Sequence, residues 1–170
     1  MKALSICLKV FFLATALCLT SCQRKSSPPE DLRVPRLYVE SRGMNYGAMT
    51  SMRLKLPQSG AEIEVNKEPF INEFEIINAE MVKVDLGRAL LLQLTDAGAR
   101  ALYRKSVTNL GSRIVLTINN NPAGVRRLDG AIADGNYFTF VELDTKELEE
   151  LVTALKLSLK YLQAESSQSW

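Results

Sequence analysis

A chain of 170 residues without a single histidine has few ways to do chemistry. Losing imidazole removes both the usual general base and the commonest metal ligand, which leaves carboxylates, lysine, serine and tyrosine. Asp129, Asp134, Asp144, Glu147, Glu149 and Glu150 contain no pair whose spacing suggests separate acid and base roles, and they read as helix caps and solvated positions. Ser26, Ser27, Ser41 and the Lys105-Ser106 pair lack both the S-x-x-K spacing and the strained elbow that activate a serine. The sequence therefore predicts no enzyme, no cofactor, no metal site and no small-molecule substrate. Groups suited to binding are easier to find. Asn119, Asn120 and Asn121 offer amide donors and acceptors to a peptide backbone, or else form a turn, since Asn tolerates positive φ and Pro122 extends the residue before it. Arg126 and Arg127, with Arg113 one strand away, are candidates for an anionic partner, although neighbouring strand residues point to opposite faces.

One cysteine has a context of its own. Lys2 and Lys9 lie in a basic leader, and Val10 to Leu19 is apolar apart from Thr15. At about 1.5 Å per residue this run falls well short of the roughly 30 Å hydrocarbon core. Extending it back to Ala3 would place Lys9 within the span, at a cost of about 2.5 to 3.5 kcal/mol. A secretory leader fits better than a membrane anchor. Leu19-Thr20-Ser21-Cys22, which ends the run, resembles the lipobox of bacterial lipoproteins. That resemblance implies cleavage before Cys22, diacylglycerol on its sulfur and attachment to a membrane of the cell envelope. Gln23 stands where lipoproteins retained at the inner membrane carry Asp, which points to the outer membrane. Cys7 and Cys18 would leave with residues 1–21, so the mature chain could form no internal disulfide. The whole chain has 21 basic and 19 acidic residues; the leader contains two lysines and no acid, so 19 of each remain. Such a balance provides no attraction to nucleic acid.

These groups need elements to position them. Residues 22–36, with three prolines and almost no apolar side chains, read as a lipidated cysteine followed by an extended tether. The domain is expected over 37–164, with a frayed polar tail at 165–170. Leu37 to Glu40, Met52 to Leu56 and Ile63 to Val65 read as strands, with a turn at Pro57 to Gly60. Phe70 to Val84 reads as one strand, or as two broken near Asn78, and the apolar Ala89 to Leu94 as a central buried strand. Thr95 caps a first helix with Ala99, Leu102, Tyr103, Ser106, Val107 and Leu110 on one face, ended by Gly111. Arg113 to Ile118, Val125 to Ile132 and Tyr137 to Val141 follow as strands. Asp144 and Glu147 then resemble a capping box opening a long helix whose stripe is Leu148, Leu151, Val152, Leu155, Leu159 and Leu162. Ala154, Leu157, Tyr161 and Ala164 form a second, weaker apolar strip and a candidate partner contact. The fold class expected is α+β, a largely antiparallel sheet with two helices packed on one face.

A family likeness lies within this order. Ala89 to Ala99 (ALLLQLTDAGA), Thr108 to Arg113 (TNLGSR), Ile132 with the Asp134-Gly135 turn, Glu147 to Leu151, and upstream Glu68-Pro69-Phe70 resemble successive motifs of the head subdomain in the first periplasmic domain of SecD. The likeness runs from Lys67 to Lys156. Gly124 to Arg127 replaces SecD's Ser-Ala-Pro-like segment, and nothing in the chain resembles SecD's transmembrane helices, base subdomain or intramembrane acid. The resemblance implies a head-like, non-catalytic binding module that engages exported or unfolded polypeptide. Strand addition at a sheet edge would supply sequence-tolerant recognition. The alternative reading is a structural lipoprotein that docks another envelope protein through its final helix, with Leu157 and Tyr161 in the contact.

Overall fold

The computed structural model describes residues 27–41 and 50–168; the leader and Cys22 lie outside them. In chain order the elements are β1 (Pro35–Val39), β2 (Ser51–Lys55), β3 (Glu62–Asn66), a 3₁₀ turn at Glu73–Glu75, β4 (Ile76–Val84), β5 (Gly87–Leu94), α1 (Asp96–Thr108), β6 (Arg113–Ile118), β7 (Asn121–Arg127), β8 (Asn136–Val141) and α2 (Thr145–Gln168). Six strands form one sheet in the order β1-β6-β7-β8-β5-β4, and β2 and β3 form a separate hairpin. Every strand pairing is antiparallel. The α+β class read from the sequence is the one observed.

Strand alternation sends side chains to two different cores. Leu37, Ile114, Leu116 and Ile118 meet Leu90, Leu92, Tyr137 and the helices on one face. On the other face Tyr38 and Val115 are covered by Leu56, Ile63 and Val65 of the hairpin. This is why β6 reads as almost continuously apolar: a strand buried on both faces loses its alternation. The hairpin tip is tied down by Glu142, whose carboxylate accepts from the backbone N–H of Gln58 at 2.6 Å and of Ser59 at 3.1 Å.

Both helix starts follow their caps. Thr95 Oγ1 accepts from Gly98 N at 3.2 Å, and at the head of α2 Asp144 Oδ1 accepts from Glu147 N at 2.8 Å while Glu147 accepts from Asp144 N at 3.0 Å. Leu148, Val152, Leu155 and Leu159 of the expected stripe are buried. The α1 stripe is narrower than its spacing suggests. Leu102 and Ser106 face inward, but Tyr103, Val107 and Leu110 are about half exposed, because α1 meets the sheet along a thin seam around Gly98, where an added Cβ would lie 2.9 Å from Glu75 O. Helix α2 runs on to Gln168, past Ala164 and through the segment expected to fray. The domain also begins earlier than position 37, since Pro35 opens β1.

Candidate functional site

The two ends of the six-stranded sheet, β1 and β4, are places where the backbone could meet another chain. Their conditions differ sharply.

Beyond β1 the protein supplies its own partners. Leu37 N donates to Ile71 O at 3.0 Å and Leu37 O accepts from Phe70 N at 3.0 Å. Farther along, Glu40 bridges to Val65 and Ser41 N donates to Glu64 O at 2.8 Å. Upstream, residues 32–34, assigned by composition to the tether, are fastened to the domain. Val34 N donates to Asn119 Oδ1 at 2.7 Å, Asn119 Nδ2 donates to Leu32 O at 2.9 Å, and Asn119 N donates to Val34 O at 2.9 Å. Arg33 N donates at 2.8 Å to Ser158 Oγ, which itself donates to Ala154 O. Arg36 and Glu73 add a bidentate pair, Nε to Oε2 at 2.7 Å and Nη2 to Oε1 at 2.9 Å. That guanidinium holds the Glu73 carboxyl below its ordinary range.

The asparagine run is thus both things its residues allowed. Asn119 and Asn120 have φ of 51° and 65° and form the two-residue loop between β6 and β7, while Asn121 opens β7. Asn119 does clamp an extended backbone, but that backbone is its own chain's. The Asn119 amide is thus committed on both its donor and acceptor sides, while Asn120 and Asn121 are exposed.

Strand β4 is left differently. Among the described residues no strand pairs with its outer side. Its first residues are closed by side chains: Gln163 Nε2 of α2 donates to Ile76 O and Ile77 O, both at 3.0 Å, and Asn78 Oδ1 accepts from Ala79 N at 2.9 Å, next to a bulge between Ile76 and Asn78. From Glu80 to Val84 no such closure occurs among the described residues. Sequence reasoning did not find this edge. Its only local signal was Lys83, a charge of the kind that commonly protects an edge strand.

The remaining candidates are dispersed. Arg126 lies 3.9 Å over the Phe138 ring and donates to Phe138 O at 3.2 Å, Arg113 pairs with Glu40, and Arg127 reaches Asp129 at 3.4 Å. Three arginines with three separate partners make no common anion site. On α2, Leu157 is 58% exposed, Tyr161 is half-buried and Ala154 faces Asp31 and Arg33, so the second strip is divided between solvent and the N-terminal segment. A depression of about 620 Å³ lined by Val39, Asn66, Lys67, Glu68, Phe70 and Lys105 gathers no arrangement suited to catalysis. Among the described residues no group of three or more His, Cys, Asp or Glu side chains could hold a metal ion. No helix there is long and apolar enough to cross a membrane.

Two solved structures share this architecture. A crystal structure of SecDF in its super-membrane-facing form matches with a TM-score of 0.55 and 16% identity, over 75% of this chain and 18% of that one. A second SecDF structure, described as a membrane component that enhances protein export, matches at 0.54 with 14% identity, over 77% of this chain and 63% of the other. The fold is SecD-like. No protein-family model and no curated protein matches the sequence. The structural match covers more of the chain than the stretch from Lys67 to Lys156 that carries the sequence motifs. In turn, this chain spans less than two thirds of either SecDF chain.

Proposed function

We propose that this protein is a lipid-anchored module of the bacterial cell envelope that captures extended polypeptide by strand addition along the outer side of β4, without catalysis. The observation that carries the reading is the asymmetry of the sheet: β1 is sealed by the protein's own residues, while Glu80 to Val84 presents backbone groups that no described strand takes up. Backbone pairing of that kind tolerates many sequences. The likeness to a component that enhances protein export supports the same direction, by analogy of fold alone. The anchor rests on Leu19 to Cys22, with Gln23 favouring the outer membrane. Replacing Cys22 with serine should abolish labelling by an alkyne fatty acid and release the protein from membranes; continued labelling would rule that site out.

The polypeptide reading is tested by hydrogen exchange on the full chain with and without a reduced, unfolded model substrate. New protection should appear in residues 79–84. Protection on α2 around Leu157 and Tyr161, with β4 unchanged, would favour docking of a fixed envelope partner through that helix. The exposure of Leu157 is what keeps that second reading in play.

A further inference from the structure

Helix α2 lies alongside β4 in the opposite direction. Its C-terminal part meets the start of the strand through the Gln163 bonds to Ile76 and Ile77. Its first turns meet the far end, where Arg88, the cross-strand partner of Lys83, approaches Glu149 at 3.9 Å. Gln163 therefore marks the flank of α2 that overhangs the β4 edge. Lys156, seven residues earlier, falls within about 20° of the same direction, and Lys160 within about 60°. Both are exposed and neither has an ion-pair partner among the described residues. Alternation along β4 puts Lys83 on the helix-bearing face, since Ala79 and Met81 pack into the core on that side, and Lys83 is likewise exposed without an ion pair. Lys83 and Lys156 thus flank one side of the open edge, with Lys160 one turn nearer the closed start at Ile76 and Ile77. Of the acids nearby, Glu80 alternates to the opposite face and accepts from Asn78, Asp85 is in the turn beyond, and Glu149, within about 40° of the Gln163 direction, lies on the same flank but beside Arg88.

The spacing is as informative as the charge. Lys156 and Lys160 are four residues apart on a helix, about 6 Å along its axis, and alternate residues of an extended strand are about 6.6 Å apart. A strand added to β4 would direct every second side chain toward the side of α2 that carries these lysines.

We propose that the β4 edge selects extended segments carrying carboxylates at alternate positions, which Lys83, Lys156 and Lys160 receive while the backbone pairs with β4. The proposal rests on strand addition at β4 and adds to it the chemistry of the preferred segment.

Two synthetic decapeptides test it on the full chain held in detergent. One alternates valine with glutamate and the other valine with lysine, each labelled with a fluorophore for anisotropy, and hydrogen exchange locates the contact. The glutamate peptide should bind at least about tenfold more tightly, protect residues 79–84, and lose most of that advantage at about 1 M salt, where the screening length falls to about 3 Å. The triple substitution Lys83→Glu, Lys156→Glu, Lys160→Glu, all at exposed positions, should reverse the preference. Equal binding of both peptides at β4 would overturn the charge selection and leave strand addition standing. Binding of neither peptide, or protection elsewhere, would overturn the selection and strand addition together.

Discussion

The two edge strands of the sheet solve one physical problem in opposite ways. An edge strand offers unpaired backbone groups that invite association. Around β1 the chain answers with its own segments: residues 70–71 and 64–65 return to the strand and its end, Glu73 holds Arg36, and Asn119 and Ser158 fasten residues 32–34 just upstream. Around β4 it answers with a bulge, two side-chain closures and charge, and no described strand pairs with the outer side of Glu80 to Val84. The difference teaches that a sheet can be structurally complete at one end and still offer a template at the other. It also separates substitutions that should unfold the domain from those that should only alter what it binds.

The sharpest way to break that comparison is at the core beneath each edge. Leu37 on β1 is fully buried, and Leu37→Ala should cost about 2 to 5 kcal/mol in urea unfolding. Met81 on β4 is only partly buried, so Met81→Ala should cost roughly 1 kcal/mol. Comparable losses at the two sites would mean that β4 is as enclosed as β1.

The N-terminal fastening comes next. Asn119→Ala removes both amide contacts to Leu32 and Val34 and puts at φ 51° a residue that tolerates positive φ less well than asparagine, with an expected loss of about 1 to 3 kcal/mol. Asn119→Gly keeps the turn but not the clamp and should cost less. In either variant the amides of Arg33, Val34 and Arg36 should exchange faster while those of β4 stay as they were. Unchanged exchange would show that β1 does not depend on this clamp.

Smaller still is the effect expected on the exposed side of α2. Leu157→Ala should alter stability by no more than about 0.5 kcal/mol, whereas Leu155→Ala, two positions away and buried, should cost about 2 to 5 kcal/mol. A reversal of that order would place the wrong face of the helix inward.

The least of these effects is one of acidity. Hydrogen bonds from the Ser59 side chain and then from the backbone of Gln58 and Ser59 hold the Glu142 carboxyl below its ordinary value. A lowered carboxyl stabilises the folded hairpin above the ordinary carboxylate range, near pH 4, and that contribution is lost as pH falls through the lowered value. The Gln58 and Ser59 amide resonances should therefore shift together in acid while those of β4 do not, and Glu142→Gln should remove the coupled shift. Amides that titrate identically in that variant would assign the change to another group.

Much of this architecture was legible in local patterns. Thr95 and the Asp144–Glu147 pair start helices because their side chains satisfy N–H groups a few residues away, and the Leu148 to Leu159 stripe follows from helical repeat, so neighbours in sequence suffice to read them. Asn119 and Asn120 mark a turn for the same reason. The α1 stripe misled because periodicity says which residues share a face and not how much of that face the sheet will cover; Tyr103 and Val107 have the right spacing and lie outside a narrow seam.

What the sequence by itself determined was the inventory: the strands, two capped helices, the absence of histidine chemistry and the motifs pointing to a SecD-like fold. Only the tertiary structure decided which strand ends the sheet with no described strand beyond it, that residues 32–34 belong to the domain, and that α2 runs alongside β4. The physical reason is distance along the chain. Val34 meets Asn119 across 85 positions and Gln163 meets Ile76 across 87, and such pairings arise from the packing of whole elements, for which no short window of residues carries a signal.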